Sequence, residues 1–356
     1  MGRILSEDKM ADKKTYIIGN SNRTACLEQL CRAESDKLEV IREDYAAENI
    51  PTIKNAYDTK IIFLLDGIPD YQANLSTIRE QRKDIFVIGF DTTQNVSAPQ
   101  QYIRGLQLLK RASANLVFSH DQETGTNMII APEETTYHVT NDEQEALRNV
   151  VEMAYLRSHL TFTRSTVVAG QPVDWNSPLV PQSLRTVVDY CRAQGAYKVF
   201  NGATTGHFAV KLDNQTFLTS RRKTDFNQLD QIGLVKVTTD GPDAVIAYGS
   251  KPSVGGQSQR IVFQQHPEYD SIVHFHCPKK EGSAVPTVSQ REYECGSHEC
   301  GKNTSRGLYQ FGNLSAVYLE NHGPNIVFNR TINPQEVIKF IDQNFDLSKK
   351  TGGYVL

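Results

Sequence analysis

Two histidines stand two positions apart directly after an apolar run. The segment Ser271-Ile272-Val273-His274-Phe275-His276-Cys277-Pro278 has the character of a buried strand. Successive side chains of a strand point to opposite faces, so His274 and His276 would share one face while Phe275 turns into the core. Two imidazoles on one rigid face can be two ligands of a divalent metal ion. The alternative is a polar pair at a strand end without a ligand role.

A third histidine follows a second apolar strand. Residues 315–319 run into Glu320-Asn321-His322-Gly323-Pro324. The glycine directly after His322 lets the backbone turn sharply and bring this histidine towards a neighbouring strand. Three histidines with an open fourth position are the ligand set of a catalytic zinc site rather than of a closed structural one. We therefore predict that His274, His276 and His322 bind one Zn²⁺ or a similar divalent ion.

These motifs, in this order, resemble the class II aldolase/adducin family, in which His-x-His and a later Asn-His-Gly supply the metal ligands. The resemblance covers residues 181–353. It implies an α/β/α domain and a metal-dependent lyase or isomerase that acts through an enediolate on a small phosphorylated or acidic sugar-like substrate. Aldol cleavage, epimerisation and dehydration all use this intermediate, so the fold does not choose among them. The family also implies a homo-oligomer, with a tetramer favoured.

The resemblance further implies an anion-binding loop. Family members use a Gly-Asn loop and nearby hydroxyl groups to hold the substrate phosphate, and residues 200–208 (FNGATTGHF) occupy this place with the order Asn-Gly. Glycines let the backbone approach an anion closely. An ordinary Asn-Gly turn is the alternative, and His207 is interpreted as structural. The predicted substrate-binding residues are Asn201, Thr204, Thr205, Thr219, Ser220 and Ser253.

One family position departs from the pattern. Family aldolases carry Pro-Ser-Ser-Glu before the His-x-His strand, and the glutamate moves the proton. Here the glutamate position falls on Gly255, and a family histidine four residues later falls on Gln259. Glycine cannot change protonation, so another group must do this work or the chemistry differs. The candidate replacements are Glu281, Glu294, His298, Glu299 and Glu320.

We predict His298 and Glu299 as the catalytic pair, because the glycine-punctuated loop at 294–301 would lie near the active site. The cysteines of this loop, Cys295 and Cys300, could instead supply soft metal ligands. A zinc ribbon would need a second pair of cysteines at similar spacing, and none occurs in the sequence, which favours the loop interpretation.

The first half of the chain alternates strand and helix patterns. Apolar runs at 61–65, 85–90 and 114–118 alternate with helical patterns, and a hairpin at 127–139 precedes a long helix at 141–160. This alternation predicts an open, mostly parallel, Rossmann-like sheet. The segments Val87-Ile88-Gly89-Phe90 and Ala114-Asn115-Leu116-Val117 resemble the C-terminal part of phosphopantothenoylcysteine synthetase. That family's glycine-rich nucleotide segment has no counterpart here, although a nucleotide could bind at the carboxyl ends of such strands.

Length and composition bound the protein class. With 356 residues, 39% hydrophobic and 22% charged, the chain is expected to form two globular domains. We predict a flexible N-terminus at 1–14, a Rossmann-like domain at 15–165, a linker at 166–181 and an aldolase-like domain at 182–356. The net charge of −3 gives no reason to expect a nucleic-acid or membrane partner.

The cellular location is expected to be cytoplasmic. No apolar run approaches the roughly 18 residues that cross a bilayer, and the N-terminus lacks the apolar segment of a secretory signal. The six scattered cysteines fit free thiols in a reducing compartment.

Two other functions stay open at this point. One is a non-catalytic interaction protein like the adducin members of the family, which Gly255 favours and the three retained histidines disfavour. The other is a nucleotide-dependent ligase-like function of the N-terminal half.

Overall fold

The computed structural model describes residues 13–35, 38–45 and 57–352. It contains two compact units, the first ending at His159 and the second beginning at Leu160. The division therefore falls before the predicted domain end at 165. The stretch 166–181, predicted as a linker, lies inside the second unit, where Trp175 and Val180 are each 1% exposed. Of the predicted flexible N-terminus, residues 1–12 lie outside the described part, and Lys13 opens the first strand.

The first unit contains a seven-stranded sheet in the order β2-β1-β3-β4-β5-β6-β7. Strands β1 to β5 are parallel to one another, and β6 and β7 form a hairpin at one edge, in which β6 is antiparallel to both β5 and β7. This confirms the predicted open, mostly parallel sheet with its terminal hairpin. The strands are β1 Lys13–Ile18, β2 Leu38–Glu43, β3 Thr59–Leu64, β4 Phe86–Thr93, β5 Leu116–Asp121, β6 Asn127–Ala131 and β7 Thr135–Thr140.

Helices cover both faces of this sheet because consecutive apolar residues of its strands point to opposite sides. Ile17 and Phe63 share one core cluster with residues of α1 and α4. Their neighbours Tyr16 and Ile62 share the other cluster with residues of α2 and α3. The helices are α1 Arg23–Glu34, α2 Tyr71–Gln81, α3 Ala98–Ala112 and α4 Glu143–Ser158.

The second unit is built on a ten-stranded sheet in the order β16-β18-β19-β15-β11-β12-β13-β14-β8, with β17 also paired to β18. Its central strands are antiparallel, and β8 and β16 join the edges in parallel. The strands are β8 Arg164–Val168, β9 Val199–Phe200, β10 Ala203–Thr204, β11 His207–Lys211, β12 Thr216–Thr219, β13 Val235–Thr239, β14 Ala244–Tyr248, β15 Ser271–His274, β16 Thr287–Val288, β17 Tyr309–Phe311, β18 Leu314–Leu319 and β19 Gly323–Phe328. Strands β9 and β10 form a separate hairpin.

Helices lie on both faces of the second sheet as well, which confirms the predicted aldolase-like α/β/α arrangement. Phe208 and Phe275 pack in one core with α5 and α9. Ala209 and Ile272, on the opposite face, pack with Val262 of α7. The helices are α5 Gln182–Ala193, α6 Leu229–Ile232, α7 Val254–Gln265, α8 His298–Gly307 and α9 Pro334–Asn344, with a short 3-10 turn at Phe226–Gln228.

All six cysteines are free thiols. Within the described ranges, no helix is both long enough and apolar enough to cross a membrane.

Candidate metal centre

The central strand β15 ends at His274, two residues before His276. Phe275 is fully buried and packs edge-on against Phe345, with ring centroids 5.7 Å apart. The rings of His274 and His276 come out together on the other side, with centroids 5.0 Å apart. This is the alternation that the sequence predicts for His-x-His at a strand end.

The turn between β18 and β19 brings in His322. Asn321 has φ 54° and Gly323 has φ 149°, so a residue with positive φ lies on each side of the histidine. A Cβ on Gly323 would collide with the carbonyl oxygen of Phe275. Glycine is therefore required here, because the backbone of the turn lies directly against the end of β15.

The three predicted ligands form one buried cluster. The ligand atoms of His274, His276 and His322 all lie within 4.8 Å of one another. Nε2 of His274 is 3.3 Å from Nε2 of His322, and the ring of His322 is 4.6 Å from each of the other two. In the described part of the chain, this is the one group of three or more histidine, cysteine or acidic side chains close enough to share an ion.

Burial favours the neutral form of His274. It lowers the pKa of His274 well below its usual range, and the neighbouring His322 lowers it further, while the hydrogen bond to Pro324 acts in the opposite direction. The carbonyl oxygen of Pro324 can only accept, so Nδ1 of His274 donates to it over 2.7 Å. His274 is thus neutral with its Nε2 lone pair available, which is the form that binds a metal ion.

A fourth histidine, interpreted from sequence as structural, lies against the cluster. His207 opposes His274 in the pairing of β11 with β15, and the two rings stack with centroids 4.6 Å apart. The carboxamide of Gln259 hydrogen-bonds Nδ1 of His207. A cavity of about 10 Å³, lined in part by His207, Gln259 and His322, adjoins this stack.

The predicted anion-binding loop at 200–208 contains the tight turn of a β-hairpin. Asn201 (φ 50°) and Gly202 (φ 77°) are the two turn residues of the β9–β10 hairpin, and both are exposed. The Thr204 hydroxyl donates to the carbonyl oxygen of Thr224 and accepts from the backbone N–H of Phe226. Thr204 is therefore occupied within the fold. Thr205, half-buried, begins the link to β11.

Ser220 and Ser253 come together at the start of α7. The backbone N–H of Ser253 donates to the carbonyl oxygen of Ser220 over 2.9 Å, and Ser253 is the N-cap of α7 without a side-chain capping bond. Ser220 is fully buried, and its Oγ has no hydrogen-bond partner among the described residues. By contrast, the buried Thr219 hydroxyl contacts the Phe208 carbonyl oxygen and Gln259, each at 3.2 Å.

The predicted catalytic pair lies at the start of α8. The ring of His298 hydrogen-bonds the Thr163 hydroxyl over 2.7 Å, and the carboxylate of Glu299 accepts from the backbone N–H of Thr161 over 2.9 Å. Burial lowers the pKa of His298. Neither residue is among those that line the cavity beside the histidine cluster, whereas Cys295 and Cys300 are.

The other candidate acids differ in their exposure. Glu281 and Glu320 are exposed, and Glu294 is half-buried. Gly255, at the position where the family carries its glutamate, lies in the first turn of α7.

Comparison with known proteins supports the resemblance seen in the sequence. Residues 185–333 match the family model of the class II aldolase and adducin N-terminal domain, which confirms the resemblance of this region. No curated protein matches the chain.

Two solved structures are similar to parts of the chain. L-fuculose 1-phosphate aldolase is 18% identical and covers 45% of this chain and 81% of its own, with a TM-score of 0.34. The DNA/pantothenate metabolism flavoprotein from Streptococcus pneumoniae is 11% identical and covers 40% of this chain and 99% of its own, with a TM-score of 0.30. These scores carry no conclusion about activity.

Proposed function

We propose that the second unit is a metal-dependent, aldolase-like lyase or isomerase that acts through an enediolate on a small phosphorylated or acidic sugar-like substrate. The observation that carries the proposal is the buried cluster of His274, His276 and His322, whose ligand atoms lie within 4.8 Å of one another. The match of residues 185–333 to the class II aldolase and adducin family supports the reaction class.

The donor set fits Zn²⁺ or a similar divalent ion. Three imidazoles converge, and the backbone holds one of them, His274, in the ligand tautomer. When bound, the ion supplies a Lewis acid that stabilises negative charge on substrate oxygens. With three protein ligands, one coordination position is left for a substrate.

The N-terminus of α7 is the proposed anion subsite. Its first-turn N–H groups carry partial positive charge and favour a phosphate or carboxylate. The buried Ser220 hydroxyl can add a hydrogen bond, because no described group accepts or donates to it. Thr204 and Thr219, also predicted for this role, donate hydrogen bonds to the carbonyl oxygens of Thr224 and Phe208, respectively.

Proton transfer in the proposed reaction requires a titratable group other than residue 255. Gly255 offers no titratable group, and His298 and Glu299 remain the predicted pair. To act, each would have to exchange its bond to Thr163 or Thr161 for one to the substrate.

Gly255 favours a second candidate, a non-catalytic protein of the adducin type. Such a protein would keep the fold and have no need of a proton-transfer group. It would not exchange substrate hydrogen with solvent, which gives a direct distinction between the two candidates.

The proposed function is tested by hydrogen exchange between substrate and solvent, a measurement that does not depend on knowing the reaction product. Dihydroxyacetone phosphate is incubated in D₂O with the purified protein, and loss of its carbon-bound proton is followed by NMR. An enediolate-forming enzyme should incorporate deuterium, lose this activity with a chelator and regain it with Zn²⁺. Exchange that is equal with and without the chelator would contradict the metal-dependent mechanism. The glutamine variant His276→Gln should behave like the chelated protein.

We further propose that the protein forms a closed homo-oligomer, with a tetramer favoured. This proposal rests on the family resemblance alone.

A further inference from the structure

His207 is buried beside the histidine cluster without belonging to it. The side chain is 5% exposed, and its ring lies at 28° to that of His274, with centroids 4.6 Å apart. The group whose ligand atoms fall within 4.8 Å of one another contains His274, His276 and His322 and does not contain His207. His207 therefore contacts a ligand rather than the ion position itself.

A buried polar chain holds His207 in place. Gln259, on α7, is 1% exposed and hydrogen-bonds Nδ1 of His207 through its carboxamide. The other end of this carboxamide lies 3.2 Å from the hydroxyl of Thr219, which is fully buried. Each member of such a buried chain restricts the next, because a broken bond would leave a polar group unsatisfied.

The backbone holds the start of β11 close to the end of β15. Gly206, directly before it, has φ +107°, and a Cβ at this position would stand 2.6 Å from the carbonyl oxygen of His274. The start of β11 therefore lies directly against the end of β15, where the His207 ring stacks on the His274 ring.

We infer that His207 is a positioning residue for the ligand His274, and that Gln259 and Thr219 keep His207 in place. This inference rests on the proposed metal centre. The bond to Pro324 fixes one edge of the His274 ring, and the stack with His207 fixes its plane. Without the stack the ring could rotate about the Cβ–Cγ bond, and the three nitrogens would converge less often.

Cobalt(II) is the probe that tests this role. The Co²⁺ dissociation constant and the visible absorption spectrum of the Co²⁺ site are measured on the full-length chain. The variant His207→Ala should bind Co²⁺ about 10–100-fold more weakly, the usual effect of losing a residue that orients a ligand, and its spectrum should change. The variant Gln259→Leu should shift the affinity in the same direction. His207→Phe, which keeps a flat ring over His274, should retain most of the affinity.

His266→Ala is the matched control, since this histidine lies on the same unit and bonds the carbonyl oxygen of Ser305. It should leave affinity and spectrum unchanged. A folded His207→Ala variant with wild-type Co²⁺ affinity and spectrum would overturn the positioning role of His207 and leave the proposed metal centre standing. If that variant does not fold, unchanged Co²⁺ binding by Gln259→Leu overturns it instead. A wild-type chain that binds no Co²⁺ overturns the metal centre and this inference with it.

Discussion

Nδ1 of His274 donates a hydrogen bond to the carbonyl oxygen of Pro324 across 2.7 Å. This bond ties the end of β15 to the start of β19 and leaves Nε2 of His274 directed at His322, 3.3 Å away. The tautomer that a metal ligand needs is therefore set by a backbone carbonyl of the neighbouring strand.

Gly323 should be indispensable for this arrangement. Alanine at this position would collide with the carbonyl oxygen of Phe275 and would have to adopt φ +149°. We expect Gly323→Ala to lower the free energy of unfolding by about 1–3 kcal/mol, the usual cost of one strained residue, and to reduce metal content because His322 moves. Urea unfolding and metal analysis measure the two effects.

Gly282→Ala is the control for this variant. Gly282 also has a positive φ, +79°, but a Cβ there would meet nothing within 4 Å. It should cost less stability and leave the metal content unchanged. Equal effects of the two substitutions would show that close contact at Gly323 is unimportant.

The histidine cluster is visible in the sequence because each of its causes is local. Strand alternation places His274 and His276 on one face, and the glycine after His322 marks a sharp turn. The role of His207 is not visible in the same way. Its neighbour His274 is brought opposite by the pairing of β11 with β15, and no local pattern encodes that register.

Contacts between distant parts of the chain also decide which of the predicted hydroxyl groups are already hydrogen-bonded, and the sequence does not show these contacts. Thr204 and Ser220 look equivalent in the sequence, yet Thr204 is bonded to the backbone of Thr224 and Phe226, whereas no described group bonds the Ser220 hydroxyl. The stretch 166–181, predicted as a linker, is a further example. Its polar and proline-rich residues conceal Trp175 and Val180, which pack into the second core.

His298 should contribute to stability in a pH-dependent way. We expect His298→Ala to lower the free energy of unfolding at pH 7.5 by about 1–3 kcal/mol, because the buried Thr163 hydroxyl loses its partner. Burial lowers the pKa of His298 in the folded chain, whereas in the unfolded chain it takes up a proton near pH 6.5. The unfolded state then binds more protons, so the wild type loses stability as the pH falls below about 6.5.

The difference between wild type and His298→Ala should therefore shrink between pH 7.5 and pH 5.5 in denaturant unfolding. Metal content should be the same in both proteins. A difference that grows on acidification, or a variant that loses its metal, would contradict the structural role.

Restoring a carboxylate at position 255 should not restore a family aldolase. We expect Gly255→Glu to lower deuterium exchange into dihydroxyacetone phosphate, because a negative charge in the first turn of α7 opposes anion binding there. Gly255→Gln has the same size without the charge and should be affected less. A gain in exchange with the glutamate variant alone would show that the site is an aldolase lacking only its base.

The proposed homo-oligomer rests on the resemblance to class II aldolases. We expect light scattering at micromolar concentration to give the mass of a tetramer or another closed homo-oligomer. A monomer mass would count against the proposed assembly and against a site completed by a neighbouring subunit.

Metal content of the purified protein tests the central claim most directly. Elemental analysis should find about one Zn²⁺ or similar divalent ion per chain. His274→Ala and His276→Ala should each lose it, since two remaining ligands make an incomplete site, while the control His266→Ala should keep it. Full metal content in both ligand variants, or a wild-type protein that takes up no divalent ion, would contradict the account.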